Sequence, residues 1–369
     1  MKIPFLSFKA INEKIRDEAI QTFQHVFDSK WYILGNHVAE FEKQYAAFNN
    51  VACCIGVSNG LDALHLALKS IGIGKGNEVI VPSNTFIASA LAVSYTGATP
   101  VFVEPDIHTY NIDPVKIENC ITRKTRAIMP VHLYGQACTM EAIMQIAIKY
   151  KIFVIEDNAQ SHGAAYKNKK TGSFGNVNAT SFYPGKNLGA FGDAGAITTN
   201  DPVLAEKVKM LRNYGSAKKY DHEMIGYNMR LDELQAALLS VKLKYLDEWT
   251  KERQQIANWY DESLKGVGDL VLPMVAPGCT HVYHLYVIRT AKRNELQDYL
   301  HQQDIGTLIH YPVPPHLQKA YSGLGYKKDD FPLAEKIADT CLSLPLFPGL
   351  TQQEVLYVSE RIKKFFLNA

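Results

Sequence analysis

A lysine and an aspartate, each following an apolar segment, are the residues of this sequence best suited to carry out chemistry. Lys186 lies in the stretch Ser-Phe-Tyr-Pro-Gly-Lys-Asn-Leu-Gly at 181–189, which follows an apolar run and is rich in turn-forming residues. Asp157 ends the earlier stretch Val-Ile-Glu-Asp. Either residue alone is more often a surface charge or a helix cap. Together they suit a lysine Schiff base with pyridoxal phosphate, in which the acid keeps the pyridinium nitrogen protonated.

Five further residues match other parts of this cofactor. The turn at Asn59 and Gly60 joins a predicted strand to a predicted helix, where free backbone N–H groups favour a phosphate, although most such turns are only N-caps. Ser181 is a second candidate phosphate ligand, or a serine bonded to its own backbone. Phe86 follows another strand and can stack on a flat ring, although a core position is favoured in isolation. Gln160 is placed to contact the phenolic oxygen of the ring.

The elements that must position these residues alternate between strands and helices up to about residue 210. We predict helices at 60–70, 86–95 and 140–150. We predict strands at 51–57, 78–82, 101–103, 127–131, 153–155, 179–182 and 195–199, the last a candidate for an antiparallel strand. Continuous apolar strands separated by helices indicate a mostly parallel sheet covered on both faces. In such sheets the carboxyl ends of the strands form the ligand crevice.

The pattern changes in the last third of the chain. A long helical stretch at 231–264 is followed by a predicted strand at 282–289, a helix at 293–303, a strand at 306–311 and two closing helices. We therefore predict a large cofactor-binding domain at 1–250 and a small α+β C-terminal domain at 251–369.

Composition argues against several classes of protein. The net charge is +2 with acids and bases interspersed. We therefore expect no basic patch of the kind that binds nucleic acid or an acidic membrane surface. The six cysteines form no CxxC pair, as expected of reduced thiols in a cytoplasmic protein. No apolar stretch is long enough to span a bilayer. His281 and His284 fall on opposite faces of a predicted strand, so we expect no metal site there or elsewhere.

Taken together, the motifs resemble the DegT/DnrJ/EryC1 family of sugar aminotransferases over nearly the whole chain. The resemblance is carried by the segments at 57–64, 81–86, 155–163, 181–189, 192–195 and 226–235. It implies the α/β fold of aspartate aminotransferase (type I), in which helices enclose a mostly parallel seven-stranded sheet and a smaller α+β domain follows. Some relatives carry histidine in place of the lysine and dehydrate sugars, whereas Lys186 favours transamination.

The resemblance also implies roles for individual residues. Those that would bind pyridoxal phosphate, with Lys186 as the catalytic Schiff-base lysine, are Asn59, Gly60, Phe86, Asp157, Gln160, Ser181 and Lys186. In the family, the Asn of a Gly-x-Asn-x-Arg motif reaches the phosphate from the other subunit, and Asn228 occupies that position here. The resemblance therefore implies a homodimer whose active sites are shared.

A finer resemblance is to enzymes that aminate C3 of a dTDP-3-keto-6-deoxyhexose, with L-glutamate as the expected amino donor. It rests on the segments at 106–113, 211–216 and 308–316. The implied product would serve lipopolysaccharide or another surface glycan. The residues that would bind the nucleotide sugar are Tyr183, Tyr214, Arg230, His310, Tyr311 and His316. For Arg230, a structural ion pair at a helix start is an equal alternative, and a His-Tyr-Pro stretch is in isolation more often a turn.

Three other functions are compatible with the same motifs. The nearest is amination at C4 of a 4-keto nucleotide sugar. A second is a pyridoxal phosphate-dependent sugar dehydratase, and a third is a regulatory protein that keeps the pocket without turnover. The Lys186 and Asp157 pair argues against the third, because a binding protein has no use for a Schiff-base lysine.

Overall fold

A computed structural model describes residues 1–218 and 220–368 of the 369-residue chain. The α-helices are α1 Lys9–Ser29, α2 Asn36–Asn49, α3 Gly60–Ser70, α4 Ile87–Tyr95, α5 Pro114–Ile117, α6 Met140–Tyr150, α7 Pro202–Leu211, α8 Glu233–Leu243, α9 Leu246–Leu264, α10 Arg293–Gln302, α11 Pro332–Thr340 and α12 Gln352–Asn368. Short 3₁₀ helices lie at Glu118–Cys120, Leu133–Gly135, Pro315–Leu317 and Lys319–Leu324.

The strands complete the secondary structure. They are β1 Cys53–Val57, β2 Glu78–Pro82, β3 Thr99–Val103, β4 Thr125–Ile128, β5 Phe153–Val154, β6 Ala165–Tyr166, β7 Lys169–Lys170, β8 Asn178–Ser181, β9 Gly195–Thr199, β10 Ser216–Lys218, β11 Asp221–His222, β12 Tyr286–Arg289 and β13 Cys341–Leu344. The short pairs β6–β7 and β10–β11 are antiparallel hairpins.

The central sheet is assembled from two parts that meet at Asp157. One part has the parallel order β3-β2-β4-β5, and the other has the order β1-β9-β8. Asp157 forms parallel bridges to Val131, beyond the end of β4, and to Ala179 in β8. The combined order is β3-β2-β4-β5-β8-β9-β1, and β9 is antiparallel to both neighbours. This is the mostly parallel sheet, with an antiparallel strand at 195–199, that the sequence predicts.

Helices cover both faces of this sheet. Val79 and Val81 of β2 are fully buried in a cluster formed with α3 and α4, which includes Leu64. Ile80, between them, is equally buried but belongs to a second cluster, with Ile143 of α6. Successive side chains of a strand point to opposite faces, so a strand buried on both faces must be apolar without interruption.

A separate apolar cluster lies in the C-terminal part of the chain. It is formed by α9, α10, α12 and the antiparallel pair β12–β13, with Tyr260 and Tyr286 stacked at 4.9 Å between ring centroids. The N-terminal segment joins this cluster, since Ile3 is buried in it and forms a parallel bridge to Ile305. The predicted domain boundary at residue 250 falls within α9 and stays a prediction.

Three predicted elements differ from the structure. The helical stretch at 231–264 is divided into α8 and α9. The predicted strand at 282–289 begins only at Tyr286, because the preceding residues pair with the 134–137 turn instead. The segment at 306–311 forms only one bridge, from Leu308 to Ser343, and β12 pairs with the unpredicted β13. The prolines that follow residue 311 offer no N–H groups to continue a ladder.

None of the helices in the described part of the chain is both long enough and apolar enough to cross a membrane.

Candidate active site

Asp157 lies at the junction of the two parts of the sheet, with its side chain almost fully buried. Ser89 of α4 donates a hydrogen bond to Oδ2 at 2.8 Å, and the Ala159 N–H donates to Oδ1 at 3.2 Å. Burial raises the pKa of Asp157, while these donors and the charge of Lys186 act in the opposite direction. An N–H⁺ group beside this carboxylate would be a further favourable partner.

Lys186 lies in the loop that follows β8, where its N–H donates to the Tyr183 carbonyl at 2.8 Å. Burial lowers the pKa of its amine to about 8, and the charge of Asp157 partly opposes that shift. The two side chains interact electrostatically but form no ion pair within 4.0 Å. The structure therefore brings together an acid and an amine that loses its proton near neutral pH.

A cradle suited to a phosphate lies where α3 begins. A Cβ atom placed on Gly60 would lie 2.5 Å from the Cβ of Ser181, so only glycine permits this close approach. The Asn59 side chain is engaged in capping α3, because it accepts from the Asp62 N–H at 2.9 Å. The backbone N–H groups of the helix start and the Ser181 hydroxyl are the groups this cradle offers.

Gln160, Tyr311 and Phe86 form a connected group. The Gln160 Oε1 accepts from the Tyr134 N–H at 2.7 Å, and its Nε2 donates to the Tyr311 hydroxyl at 3.0 Å. The Tyr311 ring packs against Phe86, with 5.1 Å between centroids, and half of the Phe86 surface remains exposed. The backbone donor fixes the orientation of the Gln160 amide, and its Nε2 keeps a second N–H that can donate to a further ligand.

Asn111 is a buried residue that sequence reasoning did not assign. Its Oδ1 accepts from the Leu133 N–H at 2.9 Å, and its Nδ2 donates to the carbonyls of Gln136 and Ala137 at 3.1 and 3.2 Å. It thereby fixes the turn in which Tyr134 adopts a positive φ of 59° and donates to Gln160. Ser89 was missed in the same way; neither residue lies in a motif that marks its contact.

Three histidines surround Lys186 and are held neutral. Burial lowers the pKa of His162 to about 3, that of His310 to about 4 and that of His284 well below its ordinary value, and the charge of Lys186 acts in the same direction. The Nδ1 atom of His310 lies 2.8 Å from the Ser343 hydroxyl. Neutral imidazoles leave Lys186 as the cation that Asp157 faces.

The other candidate sugar-binding residues fall into different surroundings. Tyr183 is exposed, whereas His316 is buried, with its Nε2 3.0 Å from a Glu335 oxygen. Tyr214, Asn228 and Arg230 form a separate group around Asn213. The Arg230 guanidinium donates to the Asn213 Oδ1 at 3.1 Å and lies 5.4 Å from the Tyr214 ring centroid, and Asn228 bridges Asn213 through its backbone and is exposed. The roles of Tyr214 and Arg230 toward the sugar, and of Asn228 toward the cofactor phosphate, stay predictions.

A sheet that presents a lysine and a buried carboxylate, beside a glycine and serine cradle, defines an enzyme of the aspartate aminotransferase-like fold. The sequence model of the DegT/DnrJ/EryC1/StrS aminotransferase family matches residues 13–363. The chain belongs to this family. The predicted family, fold class and cofactor are therefore confirmed: the protein is a pyridoxal phosphate-dependent sugar aminotransferase.

Individual relatives are similar over their full length. A dTDP-3-amino-3,6-dideoxy-alpha-D-galactopyranose transaminase of Aneurinibacillus thermoaerophilus is 54% identical, covering 98% of this chain and 99% of the relative. A dTDP-3-amino-3,4,6-trideoxy-alpha-D-glucose transaminase of Streptomyces venezuelae is 47% identical, covering 99% and 96%. The crystal structure of S. venezuelae DesV in complex with a ketimine intermediate has a TM-score of 0.97 at 47% identity, covering 99% and 98%.

We predict that the reactivity of Lys186 in protein freed of cofactor rises with pH with a midpoint near 8, because only the neutral amine is nucleophilic. Asp157→Asn removes the charge that favours the protonated amine, so the midpoint should fall below 8. Acetylation of individual lysines, followed by mass spectrometry across pH, measures both midpoints. The exposed Lys149, whose pKa is raised by Glu118, is the internal control. Equal midpoints for Lys186 and Lys149 would contradict the assignment.

We predict that Asn111 acts on cofactor binding through Gln160. Asn111→Leu leaves buried backbone groups without partners, at about 1–3 kcal/mol for each lost bond, and releases the turn that orients the Gln160 amide. The cofactor dissociation constant should rise in Asn111→Leu and in Gln160→Ala, with little further increase in the double variant. Strictly additive effects in this double-mutant cycle would show that the two residues act independently.

Proposed function

We propose that the protein transfers an amino group to C3 of a dTDP-linked 3-keto-6-deoxyhexose, with L-glutamate as the amino donor. The buried Asp157 beside the low-pKa amine of Lys186 is the observation that carries the transamination chemistry. The names of the two full-length relatives, both dTDP-3-amino-sugar transaminases, support the nucleotide and the carbon atom. The two named sugars differ at C4, because the first carries a hydroxyl group there and the second is deoxygenated, so the proposal leaves both the substituent and the configuration at C4 open.

In this proposal Lys186, Asp157 and Gln160 each have a separate role toward the cofactor. Pyridoxal phosphate, when bound, supplies an electron sink for the charge that develops at the amino-acid Cα. Lys186 would anchor it through Nζ and, once free, would remove a proton from the donor Cα and later return one at C3 of the sugar. Asp157, fixed by Ser89, would hold the proton of the ring nitrogen, and Gln160, oriented by the Tyr134 N–H, would donate from Nε2 to the phenolic oxygen.

Binding of the sugar nucleotide is proposed for residues around the same crevice. Tyr311 and His310 lie near Gln160 and Lys186, and Tyr183 is exposed on the lysine loop. The His316 Nε2 contacts Glu335, so His316 would bind the sugar nucleotide only if that contact were broken. We further propose that the enzyme acts in the cytoplasm, in the synthesis of lipopolysaccharide or another surface glycan.

The substrate is tested by assaying the 3-keto and the 4-keto dTDP-6-deoxyhexoses in parallel with L-glutamate as donor. We expect amino sugar from the 3-keto substrate alone, together with 2-oxoglutarate in equal amount. Preferential turnover of the 4-keto sugar would establish C4 amination instead. Release of ammonia without an amino sugar would establish the dehydratase, and no turnover with either sugar would favour a regulatory protein.

We predict that Lys186→Ala lowers the rate of amino transfer by about 10²–10⁴-fold or more, because it removes the acid–base group together with the covalent anchor. The visible absorption band of the bound cofactor should be lost or displaced in the same variant. Lys149→Ala is the matched control, since its surface ion pair with Glu118 contributes little to stability. Retention of both the band and the rate in Lys186→Ala would exclude this assignment.

We also propose that the protein is a homodimer whose subunits complete each other's active sites. An apolar surface at the end of α1 and in the loop after it is formed by five exposed side chains, those of Phe23, Phe27, Trp31, Tyr32 and Ile33. Large exposed apolar patches on soluble proteins mark interaction surfaces.

This apolar surface pairs with the residues that follow Asn228 by four and five positions. Ile33 forms an antiparallel bridge to Asp232, and the Glu233 N–H donates to the Tyr32 carbonyl at 3.2 Å. A second copy that covers the aromatic residues would therefore also cover the neighbourhood of the exposed Asn228. This supports the assignment of Asn228 to the phosphate of the other subunit.

Subunit mixing tests the shared site. Lys186→Ala and Asn228→Asp should each be inactive alone, the second because its added negative charge repels the phosphate. Random reassociation of equal amounts should restore about a quarter of the original activity, since half the dimers are mixed and each has one intact site. No recovery in dimers that have demonstrably exchanged would place Asn228 outside the partner's site. In sedimentation experiments, Phe27→Glu should shift the protein toward monomer.

A further inference from the structure

A small cavity beneath the lysine loop is lined by three cationic side chains. Lys186, Lys242 and Arg253 all border it, and the remaining lining, drawn from the lysine loop, α9 and the N-terminal segment, contains no carboxylate among the described residues. Its volume of about 10 Å³ is sufficient for one occupant of about the size of a water molecule. The cavity is distinct from the phosphate cradle, which is built from Gly60 and Ser181.

Lys242 is buried in this cavity wall without a countercharge. Only 5% of its surface is exposed, and no carboxylate in the described part of the chain lies within ion-pair distance. Its Nζ donates to the Gly189 carbonyl at 2.7 Å and lies 4.0 Å from the ring centroid of Phe191. These contacts use part of the ammonium group, which carries three donors.

Arg253 of α9 is still more deeply buried, with 3% of its surface exposed. Its Nη1 donates to the carbonyls of Tyr283 and Leu346 at 3.2 and 3.3 Å, and its buried Nε–H has no hydrogen-bond partner within the described residues. The adjacent Glu252 forms no ion pair with it and accepts from the Gly349 N–H at 3.1 Å.

Buried charges in proteins are normally paired, because an uncompensated charge loses its hydration without a replacement. Carbonyl oxygens supply partial compensation to Lys242 and Arg253, but neither side chain forms an ion pair within the described residues. A compact anion would supply the missing countercharge and would accept the free Nε–H of Arg253. Because the cavity is at the lower limit for one water-sized occupant, a monatomic anion suits it better than sulfate or phosphate.

We propose that this cavity is a binding site for a monatomic anion, chloride in ordinary salt, held between Lys242 and Arg253. The bound anion would stabilise the loop that carries Lys186, since Lys242 is bonded to Gly189 at the end of that loop. Lys186 borders the cavity, but Lys242 and Arg253, which would hold the anion, have no assigned contact with cofactor or sugar, so the site can be tested without knowledge of the sugar.

The direct test is a crystal of the unaltered holoenzyme grown in sodium bromide. We expect a bromide anomalous peak in the cavity, in contact with the Lys242 Nζ and the Arg253 Nε. A water molecule without anomalous signal, an empty cavity, or a side chain of a second subunit occupying it would each overturn the proposal.

A solution test uses thermal unfolding of the holoenzyme in sodium chloride and in sodium gluconate of equal ionic strength. If the site is occupied, chloride should raise the melting temperature saturably, by about 2 °C or more relative to gluconate. Lys242→Met should abolish this difference. Lys244→Met, two residues further along the chain, removes only a surface ion pair with Glu18 and should retain the difference between the two salts. The proposal would be overturned by equal melting temperatures of the unaltered protein in the two salts, or by a chloride effect that survives in Lys242→Met. If Lys242→Met fails to fold, the bromide experiment decides.

Discussion

The architecture depends on the backbone pairing of Asp157, through which the parallel and mixed parts of the sheet become continuous. One edge of this residue pairs with Val131 and the other with Ala179. Backbone hydrogen bonds of the neighbouring residues extend the junction, from the Ile155 N–H to Ile128 on one side and from the Ala179 N–H to Glu156 on the other. The junction sets the position of the acid relative to the loop after β8. A slip of one residue would turn Asp157 away from the crevice and Glu156 toward it, because side chains alternate along a strand.

Glu156, which precedes Asp157, directs its side chain to the opposite face of the sheet, where the fold must compensate a buried carboxylate. Its fully buried carboxylate accepts the N–H groups of Gly172, Phe174 and Gly175 at 2.6–2.9 Å, and the Nε2–H of His132 at 2.8 Å. The tautomer of His132 is fixed, since its Nδ1 accepts from the Cys138 N–H. Four donors compensate the buried charge. Two adjacent acids thus differ in function because one is fully satisfied by the fold, whereas the other retains capacity for a ligand.

The sequence was sufficient for features that local pattern encodes. Apolar runs predicted the strands of the central sheet, and the polar residues that end them predicted Asp157 and Lys186. Contacts between distant segments were not predictable in this way. Nothing in the neighbourhood of Asn111 indicates that its amide holds the Leu133 turn, and a positive φ at Tyr134 has no sequence signal comparable to glycine. The pairing of β13 with β12 was missed because its four residues, Cys-Leu-Ser-Leu, are too short a stretch to be told from part of a buried helix.

The charge state of the crevice also depends on contacts between segments that are distant in the sequence. Three histidines from separate parts of the chain converge near Lys186, and burial keeps each of them uncharged. Had they been protonated, their charges would lower the pKa of Lys186 further. With neutral imidazoles, desolvation lowers the pKa of Lys186 while Asp157 limits the shift, and the result is a value of about 8. An amine poised there can both lose and regain a proton near neutral pH, which is the property that amino transfer requires of it.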